Sequence, residues 1–379
     1  MGKATKALHL ARAMKAHATG INLDPNLTTS AAQGRNVIIN GDMQIAQRNP
    51  YPVTGLGATS SIHTLDRMFT TSVNTAGRYT MSQDSDCPNG FIHSLKYACT
   101  TADTSIASNE AMLLKNRIEG DDFQRFKWGT TEAQPSVFSF YVKGNAAATY
   151  TWEFSVGNYA IHKRFSVTTD WTRIVFAIPA RFAGVVEQGE GKGGEWNIWL
   201  HAGSDYTGGT QVQDQWHTGY NLNQRANSGD TSFYDSTSRT FLITGIQWEI
   251  GSRVTPFEHI TYADQLRKCQ RYYFCTYRRE HRVGTASHSG AYNHNFGSMS
   301  TYGTIQTYFP VQMRTQPTVT QYSPSQTDYV GINYYNGSTS VNTNSLFGSW
   351  TVGPHNGKLE LQGTSRSNCV CHIVASAEL

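Results

Sequence analysis

At 379 residues, 38% hydrophobic and 12% aromatic, the chain is long enough to bury two or three cores of its own. Its 20 Tyr, 17 Phe and 8 Trp, set among 34 Gly, suit short strands with many turns and exclude a helical bundle. The net charge of +4 resides in residues 1–20, where Lys3, Lys6, Arg12 and Lys15 meet no acid; the remainder is neutral, which excludes the broad basic groove of a nucleic-acid binder.

Residues 4–18 read as a short amphipathic helix. Ala4, Ala7, Leu8, Leu10, Ala11, Met14 and Ala18 gather on one side and Lys6, His9 and Arg12 on the other. Gly20 stops it, and residues 22–33 form a polar, turn-rich linker. So thin an apolar face does not hold a helix alone. Lys3, Lys6, Leu8, Leu10, Arg12, Met14 and Lys15 are therefore expected to dock in a groove of another protein, their cations meeting carboxylates there. The N-terminus lacks the apolar core of a secretory signal, and no stretch reaches the ~18 apolar residues of a membrane helix. Synthesis in the cytoplasm without membrane insertion is expected.

From Arg35 to Ile260 the pattern is strand after strand. Phe138, Phe140 and Val142 alternate with Ser139, Tyr141 and Lys143, and Tyr150, Trp152 and Phe154 alternate with Thr151, Glu153 and Ser155. Period-2 alternation implies one buried and one wet face, and about ten such strands imply a jelly-roll β-sandwich over 35–260. The one short helix expected inside it covers Glu119–Trp128.

Residues 202–238 break the alternation and form a loop longer than most compact domains tolerate without a function. Its mixture of Tyr, Trp, Ser, Gly and Asn gives large contact area at low entropic cost, as in sugar recognition. Tyr206, Trp216, His217, Tyr220 and Tyr234 are the expected glycan contacts. The bland alternative is that these rings pin the loop to the sandwich or fill a subunit interface. A rival contact surface is the C-terminal turn around Tyr322, Tyr329, Tyr334 and Tyr335.

Thr261 and Asp264 open a second helix, expected to reach Tyr273, in a stretch rich in Arg. A smaller β-sandwich completes the unit 261–379, with Asn336-Gly337 as a hairpin turn. Six cysteines are ordinary usage; Cys369 and Cys371, two apart on a strand, read as small buried fillers.

Catalytic chemistry finds little footing. No Gly-x-Ser-x-Gly elbow occurs, and the Gly189–Gly194 run fails P-loop spacing, with Val186 in place of the first Gly. Glycosidases need two facing carboxylates, whereas Asp121-Asp122 and Asp84 with Asp86 read as turn residues. His372 should face away from Cys369 and Cys371, so that cluster is no zinc site. A structural calcium would draw on Asn40, Asp42 and Glu249, though turn hydrogen bonding is the default for them. No enzyme activity, cofactor or metal is expected.

Three landmarks carry a resemblance. They are Asn36-Val-Ile-Ile-Asn-Gly-Asp-Met-Gln-Ile-Ala-Gln-Arg48 followed by Thr64-Leu-Asp-Arg-Met-Phe69, then Thr244-Gly-Ile-Gln-Trp-Glu-Ile-Gly251 running into Thr255-Pro-Phe-Glu258, then Cys269-Gln-Arg-Tyr-Tyr273. In this order they resemble the carbohydrate-binding-module-like jelly roll of bacteriophage tail-fibre and appendage proteins, over residues 36–273. The resemblance implies a virion protein, on the tail rather than the head, anchored through residues 1–34 to a tail adaptor, nozzle or capsid protein. It also implies a homotrimer with the C-terminal unit distal. Host adsorption through surface polysaccharide is the expected role. The alternatives are a purely structural connector or capsid decoration protein, and a glycan depolymerase.

Overall fold

The computed structural model describes residues 34–63, 65–184, 186–219, 221–295, 302–335, 340–343, 350–362 and 368–379. The docking residues Lys3, Lys6, Leu8, Leu10, Arg12, Met14 and Lys15, together with Tyr220 and the Asn336-Gly337 turn, lie outside them.

The chain is mainly β. Strands β1 (Val53–His63), β2 (Phe69–Asp84), β3 (Ser94–Thr101), β4 (Ala111–Glu119), β5 (Ser136–Gly144) and β6 (Ala148–Val156) come first. They are succeeded by β7 (Tyr159–Val167), β8 (Thr172–Ile178), β9 (Lys192–Ala202), β10 (His217–Thr218) and β11 (Thr240–Ile250). All pair antiparallel, in the order β10-β7-β6-β9-β4-β2-β3-β11-β5-β8, with β1 on β2. The path folds into two layers because β2 serves both. Its Phe69–Val73 half pairs with β4 and its Arg78–Asp84 half with β3. Between the halves the backbone turns at Asn74, with φ of 53°, and at Gly77. Only glycine fits at 77, since a Cβ there would lie 2.4 Å from the Tyr234 ring.

Aromatic rings fill the space between the layers of this jelly-roll sandwich. Phe138 of β5 meets Trp152 of β6 at 4.8 Å, and Phe154 of β6 meets Trp248 of β11 edge-on at 4.5 Å. Phe138, Phe140, Val142, Tyr150, Trp152 and Phe154 are all fully buried, as their alternation requires. The other face of β6 departs from expectation: Thr151 and Glu153 are buried too. A later segment covers them. The expected helix at 119–128 is one α-turn, Gly120–Phe123, continued as a 3-10 turn over Gln124–Phe126.

Helix α1 (Tyr262–Gln270) begins where expected, the Thr261 hydroxyl accepting from Asp264 N at 3.2 Å. It stops three residues before Tyr273, because Tyr273 already belongs to β12 (Tyr273–Cys275), paired with the last strand. The remaining strands are β13 (Tyr292–Asn295), β14 (Tyr302–Tyr308), β15 (Thr318–Tyr322), β16 (Ile332–Tyr335), β17 (Ser340–Thr343), β18 (Trp350–Val352), β19 (Asn356–Gln362) and β20 (Asn368–Ser376). One sheet gathers β12, β13, β15 and β16 around β20, with β17 beyond, and a second runs β14-β19-β18. Ile305 and Leu359 of the second sheet pack with Ile332, Cys369, Cys371 and Ile373 of the first, forming a smaller sandwich. Cys369 and Cys371 are buried fillers, while His372 stacks on Tyr277 at 3.7 Å with Nε2 2.8 Å from Ser287 O.

The three sequence landmarks meet in space. Asn36 donates to Ile246 O at 3.1 Å and accepts from Trp248 N at 2.9 Å, tying the first landmark to the second. Gln47 donates to Asp66 from both its backbone and its side chain, and to Tyr273 O at 2.9 Å. Arg48 and Arg67 lie over the Tyr273 and Tyr272 rings at 3.6 and 3.5 Å. Both guanidiniums then close on the Glu378 carboxylate, whose side chain is 10% exposed. The landmarks build the joint between the large sandwich and the smaller one.

Candidate functional site

Around Tyr206 and from Arg225 to Asp230 the segment after β9 lies over the outer face of β6, β7 and β9, and between these stretches His217–Thr218 joins the sheet edge as β10. Glu153 of β6, fully buried, is the fastening point. Arg225 of the overlying segment donates to it at 2.8 Å, as does Trp199 Nε1, and His162 Nε2 sits 3.7 Å away. Burial alone would raise this carboxyl, but His162 and Arg225 outweigh it and bring the pKa to about 2. Backbone bonds from Thr231 to Thr149 and from Phe233 to Leu200, each 2.8 Å, complete the attachment.

This placement decides the expected glycan contacts. Tyr234 is fully buried, packed at 5.1 Å from His201 and against Tyr79 and Phe233, so it reaches no ligand. That expectation is corrected: the ring fills the space left by Gly77 in the bend of β2. Trp216 is half-buried edge-on against Trp128 (5.3 Å) and Phe154 (5.9 Å), its Nε1 donating to Pro179 O at 2.8 Å. His217 pairs with Ala160 and stacks on His162 at 5.1 Å, and Tyr206 leans on Trp199 at 5.2 Å. Tyr206 presses on the outer side of the sheet, whereas Trp216 and Tyr234 pack into the core between the layers; all three pin the segment. Trp216→Ala should accordingly lower stability by about 2–4 kcal/mol, visible as an earlier urea midpoint.

The calcium candidates do not form a cage. The Asn40 carboxamide is committed to Ile45 N, Ile45 O and Asp66 O within 2.9 Å. Glu249 accepts from Gln247 Nε2, Thr255 N and Thr255 Oγ1. Asp42, its carboxyl raised by burial, accepts from Gln44 and keeps one oxygen, whereas calcium takes six to eight.

A different surface gathers ligand-type chemistry. Beside the joint, a groove of about 520 Å3 is lined by Gln47, Tyr51, Gln83, Tyr262, Gln270 and Arg279 among others, Glu280 included. Tyr51 and Tyr262 are 58% and 39% exposed, so large ring surface faces the opening. The Arg279 guanidinium lies 5.2 Å from the Tyr262 centroid, and the Tyr51 hydroxyl donates to Glu280 O at 2.9 Å, fixing both rims. Exposed rings with amides and a guanidinium match a sugar's C–H faces and hydroxyls. Among the described residues lining this groove Glu280 is the single carboxylate, and glycoside hydrolysis takes two. Sequence reasoning missed this groove; Tyr51, Gln83 and Tyr262–Glu280 are brought together only by the joint.

A second pocket, of about 350 Å3, holds Glu119, Asp121 and Asp122 opposite Arg125, Lys268 and Arg271. Arg271 grips Glu119 with two bonds of 2.9 and 2.8 Å, Asp121 accepts from Gly189 N at 2.8 Å, and burial raises Asp122. The ring at this pocket, Tyr272, is 1% exposed and offers a sugar no platform.

No family model and no curated protein matches the chain. Among solved structures, it is similar to the enzymatically active domain of bacteriophage CBA120 tailspike protein 4, with a TM-score of 0.28 and 10% identity over 57% of this chain and 22% of that one. A family 11 carbohydrate-binding module from Clostridium thermocellum, in complex with a β-1,3-1,4-mixed-linked tetrasaccharide, aligns with TM-score 0.26 and 9% identity over 55% of this chain and 99% of the module. A family 30 carbohydrate-binding module aligns with TM-score 0.27 and 12% identity over 60% and 98%.

Proposed function

We propose that this chain is a non-enzymatic appendage protein of a bacteriophage virion that holds host-surface glycan in the groove beside its joint. The observation that carries the reading is the pairing of two exposed tyrosines with Arg279, Gln83 and Gln270 in one groove. The virion assignment is supported by the landmarks at 36–69, 244–258 and 269–273. Each groove binds weakly; a homotrimer, repeated on one particle, turns weak sites into firm adsorption. The test is a glycan array combined with adsorption of the full chain to host cells. Retention on host polysaccharide without release of reducing sugar supports the proposal, whereas release of reducing sugar makes the chain a depolymerase.

Anchoring belongs to residues 1–34, whose cationic, Ala-rich sequence suits a carboxylate-lined groove on a tail adaptor, nozzle or capsid protein. Deleting residues 1–34 should leave the sandwich folded and particles without the protein. Purified virions carrying the truncated chain at full copy number would refute this. A second reading, a connector without receptor binding, is favoured by the self-covered outer face of β6, β7 and β9. It predicts no retention on host cells.

A further inference from the structure

A buried cluster of Asp103, Glu110 and His201 has no part in the groove or the joint. Their ligand atoms all lie within 4.8 Å of one another, and the residues are 6%, 5% and 2% exposed. Each comes from a different segment. Asp103 lies just after β3, and its Oδ2 accepts from Ala76 N (2.9 Å) and Gly77 N (3.2 Å) at the bend of β2. Glu110 precedes β4, its carbonyl accepting from Gly203 N at 2.8 Å. His201 lies at the end of β9, with Nδ1 2.8 Å from Ser232 Oγ in the covering segment and Nε2 3.3 Å from Glu110 Oε2.

We propose that Asp103, Glu110 and His201 bind one divalent first-row transition metal ion of the zinc class, which ties the bend of β2 to the covering segment. Two buried carboxylates in contact cannot both stay ionised without a positive partner. A divalent cation set between the three groups supplies that partner. In the tautomer whose Nδ1–H donates to Ser232 Oγ, Nε2 would turn its lone pair to the carboxylates, the usual outer support of a metal-bound imidazole. Tyr234 N donates to the same Ser232 Oγ at 3.1 Å and holds it in place. One imidazole with two carboxylates is an N/O donor set suited to zinc-class ions, whereas calcium and magnesium take oxygen alone. A cavity of about 80 Å3 opens beside His201, lined also by Ile106, Asn227 and Ser232.

This site is independent of glycan binding, and it is tested on the full chain. After chelation and dialysis, titration with Zn2+ should show one tight site per chain and a raised melting temperature. Glu110→Gln and His201→Gln, close in size to the originals, should each weaken Zn2+ at least ten-fold and remove the thermal shift. Equal Zn2+ affinity in both variants overturns the proposal, as does a native chain that binds Ca2+ but not Zn2+. Should both variants fail to fold, Co2+ loaded on the native chain decides. A d–d spectrum without sulfur charge transfer supports the N/O site, and a strong thiolate band places the ion on cysteine and overturns it.

Discussion

Glu378→Ala is expected to cost about 3–5 kcal/mol, the largest single effect outside the sandwich core. Its carboxylate accepts from Arg48 at 2.8 Å and from Arg67, with His63 at 3.9 Å, and Arg48 and Arg67 are themselves 11% and 4% exposed. Removing the acid leaves the buried Arg67 and the mostly buried Arg48 without this counter-charge. Arg117 also donates to Leu379 O, and Arg314 to Ala377 O at 2.7 Å, so the whole chain end is gripped. Burial alone would raise Glu378, but Arg67 and Arg48 outweigh it and hold the pKa at about 2. The depressed value fixes the sign: the stabilisation is complete above the ordinary glutamate pKa of about 4.3 and disappears as pH falls through about 2. Urea unfolding should therefore separate the variant from the native chain widely at pH 7 and progressively less below pH about 4. An equal gap at pH 7 and pH 2.5 would mean that the ion pairs do not hold the joint.

Tyr262→Ala should weaken glycan binding by about ten-fold or more, close to 1.4 kcal/mol per site, while leaving the urea midpoint nearly unchanged. The ring is 39% exposed, so little of the core depends on it; its exposed surface is what a sugar would meet. Tyr51→Ala should act alike in the same groove, where the ring is 58% exposed. Arg279→Ala removes a hydrogen-bond donor and a cation that orients Tyr262, so its effect should exceed that of a surface arginine elsewhere, such as Arg267→Ala. Calorimetry with host oligosaccharide reads all four. A Tyr262→Ala chain that binds as the native one does would remove the groove from the account.

The strands were legible because burial imposes period 2 directly on Phe138, Phe140, Tyr150, Trp152 and Phe154. Thr261 and Asp264 announced a helix start for an equally local reason. Glu153 was misread as wet, since what covers it comes from Arg225, 72 residues away. Tyr234 misled in a related way: a segment rich in Tyr, Trp, Ser and Gly has the same composition whether it displays its rings or presses them into a core. Partners decide, and they lie on β6, β9 and the bend of β2. The landmarks were recognisable as sequence because each makes close hydrogen bonds, yet their role as a joint needed Asn36 beside Trp248 and Gln47 beside Tyr273. Asp103, Glu110 and His201 carry no motif spacing; the bend of β2 and the end of β9 bring them together.

The most direct measurement is a crystal structure of the full chain soaked with an oligosaccharide from the surface of the host. The account predicts a sugar ring against Tyr262 or Tyr51, with Arg279 or Gln270 bonded to its hydroxyls. Sugar over Trp216 and His217, or in the pocket of Glu119, Asp121 and Asp122, or a groove without sugar at saturating ligand, would contradict it.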